Sequence, residues 1–208
     1  MKPGDLAYWY FRLNGFFTIV NFVLHPLRMG GQLTDADIFG VRFPDRAEFA
    51  DLPDFDDVEF RTLDLPLFLC AEVTRDQCKL NGPWTDSNRG NINALLRALG
   101  PCPPELIDAV ASALYKTGRH HNGKLCYSLF CVGNSVSETL RQRYPEVPQK
   151  TYRDVILFIH DRFRTYRSRK TDHEQWDEVG QKLWTMFETY RDSAEFEAEA
   201  RRQFGLPA

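Results

Sequence analysis

The chain has 208 residues, 43% of them hydrophobic and 13% aromatic. That is enough for one substantial core, or a core with a helical extension, and too apolar for a disordered chain. The formal net charge of -3 gives no global attraction to nucleic acid, so any such binding must come from a local patch. Five cysteines make an odd count, and Cys70, Cys126 and Cys131 lie in apolar, strand-like runs, which predicts buried free thiols in a reducing compartment. With no secretory leader pattern and no run of about 18 apolar residues, the chain reads as cytoplasmic, with no membrane partner.

In chain order, Pro3-Gly4-Asp5 followed by Leu6, Trp9, Tyr10 and Leu13 predicts a short amphipathic helix, capped by Asp5 and stopped at Asn14-Gly15. Residues 16–24 are rich in Phe, Ile and Val on both faces, the pattern of a central strand. A second strand runs over 37–43 and ends at Pro44; a third covers 66–74. Between them, the acidic window 44–65 reads as a solvated loop with a short hairpin. Asn91 to Leu99 predicts a helix with Gly100 as its C-terminal cap. Pro103-Pro104 starts another, with Leu106, Ile107, Val110 and Leu114 on one stripe. A fourth strand covers 125–132. Ser135 and Glu138 form a capping-box pattern that opens a helix to about Tyr144. Beyond Pro148 the pattern is helical throughout. Tyr152, Val155, Ile156, Ile159, Phe163 and Tyr166 make one stripe, Trp176, Val179, Leu183, Phe187 and Tyr190 the next, and 193–204 is a charged final helix. The chain divides into an α/β core over 1–145 and a helical C-terminal extension over 149–208 packed on it.

Two stretches carry the chemistry. Leu33-Thr-Asp-Ala-Asp-Ile-Phe-Gly-Val-Arg-Phe43 opens an apolar run with Asp37, and Leu65-Pro-Leu-Phe-Leu-Cys-Ala-Glu-Val-Thr74 closes one with Glu72. If the strands are neighbours, two carboxylates converge at one edge of a sheet. Such a pair is costly without a cation between the oxygens, and hard oxygen ligands favour Mg²⁺ or Ca²⁺.

This order, with an acid on the second strand and Glu-x-Thr where Glu-x-Lys would stand on the third, resembles the PD-(D/E)XK nuclease superfamily. Thr34-Asp35-Ala36-Asp37-Ile38 is similar to the Gly-Glu-x-Asp-Ile segment of its resolvase-like branch. The resemblance covers about residues 5–132. It implies a restriction-endonuclease-like fold, a mixed central sheet flanked by helices. It also implies that Asp37 and Glu72 hold Mg²⁺ or Mn²⁺, and that the protein hydrolyses phosphodiester bonds of DNA, with RNA as a second nucleic-acid partner. In the family a lysine two residues after the glutamate sits beside the attacking water. Here that position is Thr74, which has no positive charge. Loss of a positioned acid/base group costs about 10²–10⁴-fold in rate. Lys79 has a stem long enough to reach back over a turn as a replacement, and Arg75 points to the opposite strand face. Family members commonly place a further carboxylate on the first helix, where this chain offers only Asp5.

Other features have plain readings beside sharper ones. Asp35 is a turn acid or a supporting carboxylate for Asp37. Asn81-Gly82-Pro83-Trp84 is a turn with an aromatic anchor, or a platform for a stacked base. The acids of 44–65 alternatively shield the metal site from nucleic acid. Arg162, Arg164, Arg167, Arg169 and Lys170 are the charged outer face of a helix, or a phosphate-contacting surface. His120-His121 is an exposed turn, and Cys126 and Cys131 point to opposite strand faces, which speaks against a shared Zn²⁺. The leading expectation is a metal-dependent nuclease, with slow cleavage. The alternative is a catalytically inactive nuclease-like protein that binds nucleic acid or a protein partner. The helical tail is a candidate homodimer interface.

Overall fold

The computed structural model describes residues 1–24, 34–46, 55–169 and 177–207. Glu48, Asp51, Asp54, Lys170 and Trp176, and the side chains of Thr34, Asp35 and Arg169, lie outside the described residues. Helix α1 (Pro3–Leu13) has Lys2, not Asp5, at its N-cap. Asp5 instead stands in the first turn, and its carboxylate accepts the Lys2 N–H at 2.7 Å, which places a negative charge at the positive helix end. The helix stops at Asn14-Gly15 as the sequence predicts. Gly15 has φ +79°, and the Arg46 side chain lies against it where a Cβ would stand.

Six strands form one mixed sheet: β1 (Phe17–Leu24), β2 (Thr34–Arg42), β3 (Leu67–Val73), β4 (Arg119–His121), β5 (Cys126–Gly133) and β6 (Gln149–Thr151). The first three make an antiparallel meander. Strand β5 joins β3 in parallel, while β4 and β6 both pair with β5. The β3-to-β5 crossover carries α2 (Gly82–Thr85), α3 (Asn91–Leu99) and α4 (Ile107–Thr117). Then come α5 (Glu138–Arg143), α6 (Tyr152–Tyr166), α7 (Glu178–Thr189) and α8 (Ser193–Phe204).

Alternation along β3 and β5 explains why both read as continuous apolar runs. Leu67, Leu69, Ala71, Phe130 and Val132 pack with α1, α6, α7 and α8 on one face. Phe68, Cys70, Tyr127, Leu129 and Cys131 pack with α2, α3 and α4 on the other. A strand buried on both faces loses the polar half of its pattern. Cys126 and Cys131 fall in opposite clusters, as their spacing predicts, and all five cysteines are buried free thiols. The helices of the C-terminal segment share a core with α1 and the sheet, and α6 packs directly on α1.

Several elements differ from the sequence reading. Strand β1 is not central but the edge of the sheet, with Phe17 73% exposed and Ile19 51%. Residues 149–151 are a strand rather than helix. Residues 119–121 form a short edge strand instead of a turn. The α5 cap is Ser137, whose hydroxyl accepts the Leu140 N–H; Ser135 instead bridges to Gln77. The described part of the acidic window holds a single 3₁₀ turn, Val58–Phe60, with Phe60 in the core. No helix among the described residues is long and apolar enough to cross a membrane.

Candidate functional site

The β2–β3 ladder ends at Ile38↔Ala71. One step further, that register sets Asp37 across from Glu72. On β1, Asn21 sits between the pairs Val20↔Ile38 and Phe22↔Ala36 with φ 52°, a left-handed conformation that asparagine tolerates better than most residues. The kink is felt on β2: Ala36 packs in the same cluster as Phe39, and Ile38 in the opposite one. Asp37 therefore stands where regular pairing stops. Its carboxylate accepts the Val73 N–H at 2.7 Å, across the strand gap and one residue past Glu72.

Glu72 faces the α2–α4 side, where it is 8% exposed. The indole N–H of Trp84 donates to its Oε2 at 2.7 Å, and the Asn81 amide donates to Oε1. Both donors come from the turn that opens α2, and Pro83 in its first turn fixes the backbone there. Trp84 is fully buried, so it does not offer a face to a base; it holds Glu72 in place. Both carboxylates act on one neighbour. Burial pushes the Cys70 thiol well up, and the charges of Glu72 and Asp37 push it further. The ladder and the Asp37 bond to Val73 N–H place the two acids at the same end of the β2–β3 pair.

Thr74 lies just beyond β3 and is built into the loop. Its hydroxyl donates to the Gln77 carbonyl at 2.9 Å, its N–H to Val132 O at 2.8 Å, and its own carbonyl accepts the Tyr152 hydroxyl at 2.7 Å. The side chain is buried and turned into that loop, not presented to water. Lys79 is exposed on the same loop, two residues before Asn81. Among the described residues, no group of three or more His, Cys, Asp or Glu side chains is gathered as a metal cage.

The described side chains of the basic run that begins on α6 have acidic partners. Arg162 turns inward to Asp56 at 3.0 Å and lies over the Tyr166 ring. Arg164 and Arg167 pair with Asp161 and Glu188. His120 and His121 stack on each other on β4.

Asn81 and Trp84 are the site residues that the sequence reading missed as partners of Glu72. A polar side chain and an indole just downstream of a strand-end acid were the available signal. No family model, no curated protein and no solved structure matches the chain.

Proposed function

We propose that this protein is a metal-dependent nuclease of the PD-(D/E)XK kind that hydrolyses phosphodiester bonds of DNA slowly. The observation that carries this reading is the strand register that sets Asp37 across from Glu72. The order of helix, antiparallel three-strand meander, helices and a strand parallel to the third supports a restriction-endonuclease-like fold. The donor set fits the metal. Mg²⁺ is commonly held by one or two carboxylates, with waters and substrate phosphates completing its sphere, so no all-protein cage is needed. Asp37 and Glu72 would hold Mg²⁺ or Mn²⁺, which supplies charge stabilisation at the phosphate and a more acidic bound water. Asn81 and Trp84 keep Glu72 aimed, and Lys79 is the lysine carried by the loop that leaves β3.

A second reading, an inactive nuclease-like binding protein, draws on the loop itself. Thr74 is committed to backbone partners, and both Glu72 oxygens already accept hydrogen bonds from neutral donors. Incubation of plasmid and single-stranded DNA with the protein and Mg²⁺ or Mn²⁺ separates the two. The nuclease reading expects cleavage that Asp37→Asn and Glu72→Gln abolish and that Lys79→Ala lowers by about 10²-fold or more. Intact DNA with wild type under every metal condition would contradict it and leave the binding reading.

A further inference from the structure

Helix α4 carries two stripes. Ile107, Val110, Ala111 and Leu114 are buried in the core. Asp108, Ser112, Tyr115 and Lys116 follow one another at helical spacing and share a second, polar face. This face does not simply meet open solvent. It forms one wall of a cleft of about 420 Å³, and the other wall is Thr85 at the end of α2, Ser87 in the turn after it and Asn93 in the first turn of α3. That volume falls in the range of small-molecule sites, about 300–1,000 Å³.

The groups in the cleft divide by what they already hold. Asp108 Oδ1 accepts the Asn93 amide at 2.8 Å and meets Arg97 at 3.5 Å. Its charge is thereby compensated, and its second oxygen can accept from a ligand hydroxyl. The Tyr115 oxygen accepts the Ile92 N–H at 3.0 Å, which anchors the ring and leaves the hydroxyl proton as the group it can give. The Thr85 hydroxyl donates to the Asn81 carbonyl. Ser87, Ser112 and Lys116 are exposed, and their side chains have no hydrogen-bond or ionic partner among the described residues. What stays unspent is one ammonium and three hydroxyls, all of them donors. Such a set suits a ligand with negative oxygens. A phosphate monoester brings about −1.5 to −2 charges at pH 7 and three strong acceptor oxygens. No aliphatic side chain lines the cleft to hold an acyl chain.

We propose that this cleft binds a sugar phosphate through its phosphate monoester, with Lys116, Ser112, Ser87 and Tyr115 donating to the phosphate and Asp108 accepting from a sugar hydroxyl. Asp37, Glu72 and Lys79 are not among its lining residues, so the inference does not rest on the nuclease reading. The same chemistry has two sources, a free sugar phosphate or the phosphorylated end of a nucleic-acid strand.

The test titrates the full chain, without divalent metal, with ribose 5-phosphate and follows the backbone amide resonances. The shifts should saturate and centre on residues 85–93 and 108–116, while ribose without the phosphate leaves them in place. Ser112→Ala and Lys116→Ala change exposed side chains, so both variants should melt as wild type does, and each should weaken binding by about tenfold or more. A DNA oligonucleotide with a 5′-phosphate, beside its 5′-hydroxyl counterpart, separates the sources. Phosphate-dependent shifts at the same amides assign the cleft to strand ends as well, and their absence assigns it to the free sugar phosphate. No shifts with ribose 5-phosphate, shifts centred elsewhere, equal binding of ribose, inorganic phosphate binding as tightly as the ester, or unchanged affinity in both variants would each overturn the proposal.

Discussion

Asp56 shows what a single residue can decide in this fold. Its carboxylate has no solvent exposure and meets Arg42 at 2.6 Å, Arg46 at 2.8 Å and Arg162 at 3.0 Å. Burial by itself would raise its pKa, but the hydrogen bond from Arg42 and the charges of Arg46 and Arg162 outweigh burial and lower it. A carboxyl whose folded pKa lies below its unfolded value, about 3.9, stabilises fully above that value; the contribution fades as pH falls through the lower folded value. Asp56→Asn leaves buried arginines facing a neutral amide and should cost about 3–5 kcal/mol near neutral pH. Urea melts at neutral pH and below about pH 4 check this. The variant should lose less stability than wild type on acidification, and an equal loss would remove Asp56 from the acid-sensitive set. The sequence could not reveal this, because Asp56 sits in an acidic run that reads as solvated. Its partners come from the end of β2, the turn after it and the middle of α6.

At the scale of elements, what the sequence made legible follows from burial. Strands β3 and β5 are apolar on both faces because both faces are covered, and α3 and α8 keep their expected limits because caps such as Gly100 and Asp192 lie in the local sequence. Strand β1 has the same apolar look but is the last strand of the sheet, a position that composition alone does not report. Strands β4 and β6, Arg119–His121 and Gln149–Thr151, are polar and three residues long. They are strands because β5 offers them a ladder, not because of any alternation of their own. The junction between β5 and the loop after β3 gives an element-scale prediction. Gly133→Ala places a Cβ 2.9 Å from Asp76 O, Cys78 N and Thr74 Oγ1, so the cost should be about 1–3 kcal/mol of overpacking. At Gly4, in the first turn of α1, an added methyl would meet no atom within 4 Å, and Gly4→Ala should stabilise by about 0.5–1 kcal/mol. Thermal melts of the two variants should move in opposite directions; a neutral Gly133→Ala would show that the loop is not clamped as described.

Across the whole molecule, a sheet covered on both faces leaves its ends as the places where polar side chains can converge. One end gathers the last residues of β3 and β5, the start of α6 and the turn that opens α2, and there the strand register sets Asp37 across from Glu72. Those two acids were legible because each stands at the end of an apolar run, where a charge is unexpected. Asn81 and Trp84 were not, because only the path of the loop after β3 brings them back onto Glu72. Thr74 was legible as a missing charge, but its inward hydrogen bonds depend on the packing of that loop against β5. The central claim is that Asp37 and Glu72 form one cation site, and the melting temperature in rising Mg²⁺ or Mn²⁺ tests it most directly. A ligand that binds only the folded state stabilises by about 2.7 kcal/mol at a hundred times its Kd, and each kcal/mol is worth about 2–4 °C in a chain of this size. Wild type should gain stability in this way, with most of the gain lost in Asp37→Asn and in Glu72→Gln. No response in wild type, or an equal response in wild type and both variants, would contradict the account.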